Sequence, residues 1–208
     1  MKKIILILLF SFFNFKSAYS LITVDITRGN LDPLPIAVSP LHVDPKSEEL
    51  SSFDVKLLGE KISVIIEKNF KSTGLFNPLK KNAFVQKPDI AHLKPRFEDW
   101  RLIKAQALVT GKLFIKDNKL KVEFRLWDLT AAKEMVALSF TTTPNNWRRV
   151  AHIISDKIYE RLTGETGYFD TRVIYVSETG PKSQRIKKPL SLNFLQTSRF
   201  LSGHYNIK

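Results

Sequence analysis

The chain has 208 residues, of which 43% are hydrophobic, and it has no cysteine and a formal net charge of +13 at pH 7. Without cysteine the chain can have no disulfide, no zinc–thiolate site and no cysteine nucleophile. The charge does not indicate a nucleic-acid-binding protein, because residues 1–20 and 181–208 contain basic residues and no acidic ones. The excess is concentrated at the two ends, so we expect no nucleic acid as a partner.

Residues 1–20 have the pattern of a bacterial secretory signal peptide. Lys2 and Lys3 precede a predominantly apolar run at residues 4–13, and Ala18 and Ser20 are small residues suited to a cleavage site. The run is too short to span a bilayer of about 30 Å. We therefore expect cleavage after Ser20, a mature chain that begins at Leu21 in the periplasm, and no transmembrane segment after cleavage.

Residues 21–33 begin with one strand's worth of alternating apolar and polar side chains. The residues concerned are Leu21, Ile22, Thr23, Val24, Asp25, Ile26 and Thr27. Gly29, Asn30 and Pro33 separate this peptide from the rest of the chain. The residues leave two interpretations open: an edge strand of the following domain, or a peptide that adds to the sheet of a partner.

Residues 34–167 have the helix and strand patterns of one α+β domain. We predict a mixed or antiparallel sheet with two long helices packed on it. The first helix is expected to have Ser51 or Ser52 as its N-cap. Gly74 and Gly164 are expected to follow the last residues of the two helices. The predicted strands are 35–40, 107–115, 120–126 and 135–143, and a shorter helix is predicted at 97–105.

No catalytic constellation is present in the sequence. The four histidines are scattered, and His152 is predicted to be a surface or boundary residue rather than a ligand. The three tryptophans have core-like spacings. We therefore predict no catalytic residue, no cofactor and no metal, and a monomeric adaptor or binding protein rather than an enzyme. An exported hydrolase, the third hypothesis, would need a nucleophile–base pair that we do not find.

The segment "RRVAHIISDKIYERLTGETGYFDTRVIYV" (148–176) closely resembles the part of TolB-family proteins that joins the N-terminal domain to the β-propeller. Shorter matches are "PIAVSP" (35–40), "TGLFNPL" (73–79) and "ALVTGKL" (107–113). The resemblance covers about residues 21–186. It implies an α+β N-terminal domain in a periplasmic component of the Tol-Pal system, which maintains outer-membrane integrity and aids constriction at cell division.

The resemblance also implies partners. In the family the N-terminal peptide, here residues 21–32, engages the C-terminal domain of TolA, and the lipoprotein Pal binds the propeller. Residues 168–180 match the start of the propeller, with a vestigial first strand at 172–177 that has no neighbours. Our hypothesis is a truncated or frameshifted TolB. It would contact TolA, would not bind Pal, and would have nothing to hold its N-terminal peptide back.

Residues 181–208 form a basic segment that we expect to be disordered. Its scattered apolar side chains cannot offset an ordering cost of about 1–2 kcal/mol per residue. The alternative hypothesis is a stand-alone periplasmic binding module whose basic tail docks on a membrane surface, because Lys187 and Lys188 are followed by Leu190, Leu192 and Phe194.

Overall fold

The structure is a computed structural model that describes residue 22 and residues 32–47, 54–181 and 185–193. The strands are β1 (Leu34–Val38), β2 (His42–Val43), β3 (Phe76–Pro78), β4 (Ala107–Lys116), β5 (Lys119–Asp128), β6 (Lys133–Thr142), β7 (Arg172–Thr179) and β8 (Ile186–Asn193). The α-helices are α1 (Leu58–Thr73), α2 (Pro88–Ala91), α3 (Phe97–Leu102) and α4 (Trp147–Thr163). Short 3-10 turns lie at Lys81–Ala83 and Pro144–Asn146.

The first six strands form one mixed sheet in the order β3-β1-β4-β5-β6, with β2 also paired to β4. Strands β1, β2 and β3 run parallel to their neighbours, whereas β4, β5 and β6 form an antiparallel meander. The turn between β4 and β5 has positive φ at Asp117 and Asn118, a conformation that these two residue types tolerate well. The predicted α+β fold with a mixed sheet is confirmed.

The two long helices cover one face of the sheet. Leu58, Ile62, Ile66 and Phe70 recur along α1 and are fully buried, which places one apolar stripe of the helix on the strands. The inward residues of α4, such as Ile154, join the same cluster. Burial of each such side chain stabilises the fold by about 1.5–3 kcal/mol.

The other face of the sheet carries the short helices α2 and α3. Strand residues alternate between the two faces, so Ile36 and Val109 join the long-helix cluster while Ala37 and Leu108 join the second one. Trp100 of α3 is buried in the second cluster. The predicted packing roles of the tryptophans are confirmed: Trp127 lies in the second cluster and Trp147 in the first.

The helix ends agree only in part with their prediction. Gly74 and Gly164 have positive φ directly after α1 and α4, as expected. The prediction of a serine N-cap is wrong, because α1 begins at Leu58 with Leu57 in the N-cap position and no side-chain cap. A backbone turn takes the place of the cap, since the Leu58 N–H donates to the Val55 carbonyl oxygen.

Strands β7 and β8 form an antiparallel hairpin. The sequence prediction is therefore wrong in two respects: the strand at 172–177 has a neighbour, and the segment after Pro181 is ordered at Ile186–Asn193. The ladder of backbone hydrogen bonds offsets the ordering cost. Glu178 of β7 also pairs with Arg185 at 2.7 Å and Lys187 at 3.1 Å. The boundaries at residues 20, 33, 167 and 180 stay predictions.

Candidate functional site: the anchor of the N-terminal peptide

A fully buried carboxylate, Asp128, lies at the end of β5. Its Oδ1 accepts hydrogen bonds from the backbone N–H groups of Thr130 and Ala131, both at 2.8 Å. Arg101 holds the same turn from outside, donating through Nε to the Leu129 carbonyl oxygen at 2.6 Å. The first carboxylate oxygen therefore closes the β5–β6 turn, and the second oxygen is left for another donor.

That donor is the backbone N–H of Ile22, which lies 3.1 Å from Asp128 Oδ2. The Ile22 side chain is half-buried and packs against the long-helix cluster. Ile22 is the first member of the alternating apolar set Ile22, Val24 and Ile26. The domain thus holds the start of the N-terminal peptide through one charged hydrogen bond and one apolar contact, and we call this pair the Ile22–Asp128 anchor.

The expectation that nothing holds the N-terminal peptide back is wrong at Ile22, where the Ile22–Asp128 anchor holds it. The other residues of the predicted partner-binding peptide, Leu21, Thr23, Val24, Asp25, Ile26 and Thr27, lie outside the described residues, as do Ala18 and Ser20 of the predicted cleavage site. Sequence reasoning missed Asp128, because a carboxylate at the end of a strand has many ordinary roles and its donor is 106 positions away.

A buried polar cluster joins the two long helices. Asn69 of α1 donates through Nδ2 to Ser155 Oγ at 2.8 Å and lies 3.1 Å from His152 Nδ1. The prediction of a surface or boundary position for His152 is wrong, because α4 uses a second buried face that includes Ser155 and Tyr159 against α1. Burial lowers the pKa of His152, and Asp170 and Asp156 partly offset that effect.

The segment after α4 is fixed to the domain by Asp156. Its two carboxylate oxygens accept the backbone N–H groups of Phe169 at 2.7 Å and Asp170 at 3.0 Å. Phe169 is buried in the long-helix cluster. A side chain at Gly167 would collide with Asp156, since its Cβ would lie 2.4 Å from the Asp156 Cα. This arrangement fixes where the chain leaves the domain toward β7.

The short-helix face has a polar groove of about 240 Å3, lined by His92, Leu93, Gly111, Lys112, Glu123 and Arg125. A hydrogen bond from Lys121 holds the pKa of Glu123 below its usual value. The rings of His92 and His42 are stacked 4.3 Å apart. These charges are paired with each other, as in the Lys112–Glu123 contact of 3.5 Å, so the groove has no nucleophile–base arrangement.

The part of the chain that the structure describes also bears on other classes of function. No group of three or more His, Asp or Glu side chains there is arranged to hold a metal ion. None of the helices in this part has the length and apolar content needed to cross a bilayer. The described fold is a mixed sheet with helices on both faces, to which the start of the N-terminal peptide is anchored.

Comparison with known proteins identifies the family. The model of the TolB amino-terminal domain matches residues 22–135. The Tol-Pal system protein TolB of Pelagibacter ubique (strain HTCC1062) is 68% identical over 173 residues, which are 82% of this chain and 39% of that protein. The crystal structure of TolB from Acinetobacter baumannii has the same fold, with a TM-score of 0.60 and 20% identity over 78% of this chain and 37% of that one. The chain belongs to the TolB family.

The comparisons confirm the family that the resemblance predicted, and with it the prediction that the chain is not an enzyme. Proteins of this family are periplasmic components of the Tol-Pal system. The chain spans about two fifths of the length of the relatives to which it is compared.

Proposed function

We propose that the chain is a periplasmic adaptor of the Tol-Pal system that presents its N-terminal peptide, residues 21–32, to the C-terminal domain of TolA. The peptide would add as a strand to the sheet of its partner, with Ile22, Val24 and Ile26 on one face. The observation that carries the proposal is the Ile22–Asp128 anchor, which ties the start of this peptide to the folded domain.

The anchor is suited to release. One hydrogen bond to a charged group contributes about 1.5–3 kcal/mol, and one half-buried isoleucine adds a similar amount at most. A partner sheet that offers several ladder hydrogen bonds can exceed this. We therefore propose that the domain keeps the peptide close and that TolA takes it by competition.

A capture experiment tests this function. The purified chain from Leu21 should be retained by the immobilised TolA C-terminal domain, and deletion of residues 21–32 should abolish retention. Val24→Pro should weaken it, because proline removes a backbone donor from the added strand. Retention that is indifferent to the deletion would sink the proposal. Intact-mass measurement of the exported protein tests the start at Leu21.

The anchor itself can be tested without disturbing the turn. Asp128→Asn keeps a side-chain carbonyl oxygen that can accept hydrogen bonds from the Thr130 and Ala131 N–H groups. It places an NH2 group, which cannot accept a hydrogen bond, against the Ile22 N–H. We expect TolA binding to be tighter by about tenfold to hundredfold, since a hydrogen bond of this kind is worth about 1.5–3 kcal/mol. Asp54→Asn is the matched control, because Asp54 closes an exposed turn by accepting from the Lys56 N–H.

For the polypeptide of residues 21–208 we propose no Pal binding. The resemblance assigns Pal to the propeller, and the described propeller-like part of this polypeptide is the β7–β8 hairpin. A two-stranded hairpin has no stable blade around it. The same capture experiment with immobilised Pal should give no retention, and retention would contradict this part of the proposal.

A further inference from the structure

The outer side of the short-helix layer exposes an unusual amount of apolar surface. The three most exposed large hydrophobic side chains among the described residues are Leu102 at 78%, Leu93 at 68% and Val85 at 61%, and all lie here. Ile90 is 50% exposed. Several large apolar side chains exposed on one layer are a feature of interaction sites.

These side chains belong to one layer. Gln86 Oε1 accepts from Trp100 Nε1 at 2.8 Å and from the Arg96 N–H at 3.1 Å, which joins the start of α2 to α3. Trp100 is buried against the sheet, and Leu102 is two positions further along a helix with 3.6 residues per turn. Leu102 therefore points away from the sheet.

The same layer carries several lysines that are not paired with an acid of the described part of the chain. Four of them are exposed and form no ion pair with another described residue: Lys80, Lys87, Lys94 and Lys104. Of the nearby acids, Glu98 pairs with Arg101 at 2.6 Å and Asp99 with Arg96 at 2.7 Å, while exposed Asp89 accepts the Ile90 N–H, so the four lysines outnumber the one acid of the layer that is in no ion pair with a described residue. Arg185 and Lys187, near the start of β8, differ from these lysines because both form an ion pair with Glu178.

We propose that this outer side of residues 80–104, the α2–α3 surface, docks on an anionic lipid bilayer. Exposed Leu and Ile side chains would enter the headgroup region while the lysines contact lipid phosphates. The lysines favour a lipid over a protein partner, because the buried cores of protein–protein interfaces are depleted in lysine. The site uses none of the residues of the Ile22–Asp128 anchor or of the basic tail.

Vesicle flotation tests the proposal with the chain from Leu21, because the apolar run at residues 4–13 would itself enter a bilayer. The chain should float with vesicles containing phosphatidylglycerol and not with pure phosphatidylcholine. Lys87→Glu/Lys94→Glu should lower the partition coefficient at least about tenfold, and Ile90→Ser/Leu93→Ser should do the same. Lys116→Glu/Lys119→Glu is the matched control: it makes the same charge change at the exposed β4–β5 turn and should keep binding.

Circular dichroism and thermal unfolding of every variant establish that the fold is kept. Several outcomes would overturn the proposal. An equal loss of flotation in Lys116→Glu/Lys119→Glu would show that vesicle binding responds to net charge alone. Loss only on deletion of residues 181–208 would assign docking to the tail. Equal flotation with phosphatidylcholine would remove the role of the lysines. An absence of flotation, with self-association that Ile90→Ser/Leu93→Ser abolishes, would show that a second copy covers the surface.

Discussion

The two faces of the central sheet are made by the same strands, yet they are covered in different ways. On one face α1 and α4 lay continuous apolar stripes on the strands, and side chains such as Ile62 and Ile154 are fully buried. On the other face two short helices are held by a few directed contacts, including Trp100 to Gln86 and Arg125 to the His92 carbonyl oxygen. We expect the first face to carry most of the stability of the domain, because its apolar cluster is the larger of the two.

The strongest way to break this comparison is to charge the long-helix face. Ile154→Asp should unfold the domain, with a loss of more than about 4 kcal/mol, because it places an unpaired carboxylate between helix and sheet. Urea unfolding followed by circular dichroism measures the change. Ile154→Val, which keeps the site apolar, should cost only about 0.5–1.5 kcal/mol. A stable, cooperative Asp variant would contradict the assignment of stability to this face.

A moderate effect is expected from Gln86→Ala on the short-helix face. The change leaves the N–H groups of Trp100 and Arg96 without their acceptor, which should cost about 1–3 kcal/mol. Hydrogen exchange should increase in α2 and α3 while the amides of α1 and α4 keep their protection. The exposed Gln106→Ala is the control and should change neither. Faster exchange throughout the domain would show that the two faces unfold as one unit.

Two histidines extend the comparison to pH. Burial lowers the pKa of both His152, which faces Asn69, Ser155, Asp156 and Asp170, and His42, which faces His92, Asp89, Asp44 and Lys112. For a histidine with a lowered pKa, the unfolded chain binds the proton first as the pH falls. The free energy of unfolding is therefore not reduced by these histidines above about pH 6.5. It decreases as the pH falls from there toward the pKa of the folded state.

Removal of His152 should flatten this pH dependence more than removal of His42, because His152 is the more deeply buried of the two. The free energy of unfolding of His152→Gln and His42→Gln, measured between pH 5 and 8, gives the comparison. A larger change in His42→Gln would place the pH sensitivity on the short-helix face, against our expectation.

The smallest effect is expected at the α2–α3 surface. Leu93→Ser should change the free energy of unfolding by no more than about 0.5 kcal/mol, because its side chain is already 68% exposed. Thermal unfolding at neutral pH measures this. A clear loss of stability would mean that Leu93 supports the fold. It would contradict a role of the α2–α3 surface in docking that is separate from folding.

The regular elements of the domain could be predicted because their signals are local. The alternation of apolar and polar residues in β5 and the helical spacing of Ile62, Ile66 and Phe70 indicate which side of each element is buried. Glycine after each long helix marks where the helix ends. The family could also be predicted, from the resemblance of one long segment at 148–176, and the comparisons confirmed it.

The tertiary structure alone decided how these elements meet. The short parallel strands β2 and β3 have too few residues for a pattern. His152 became a core residue because α4 packs against α1 as well as against the sheet. The β7–β8 pairing and the Ile22–Asp128 anchor join residues whose local surroundings give no sign of each other. Such contacts depend on which distant groups the folded chain brings within hydrogen-bond distance, and local periodicity carries no information about that distance.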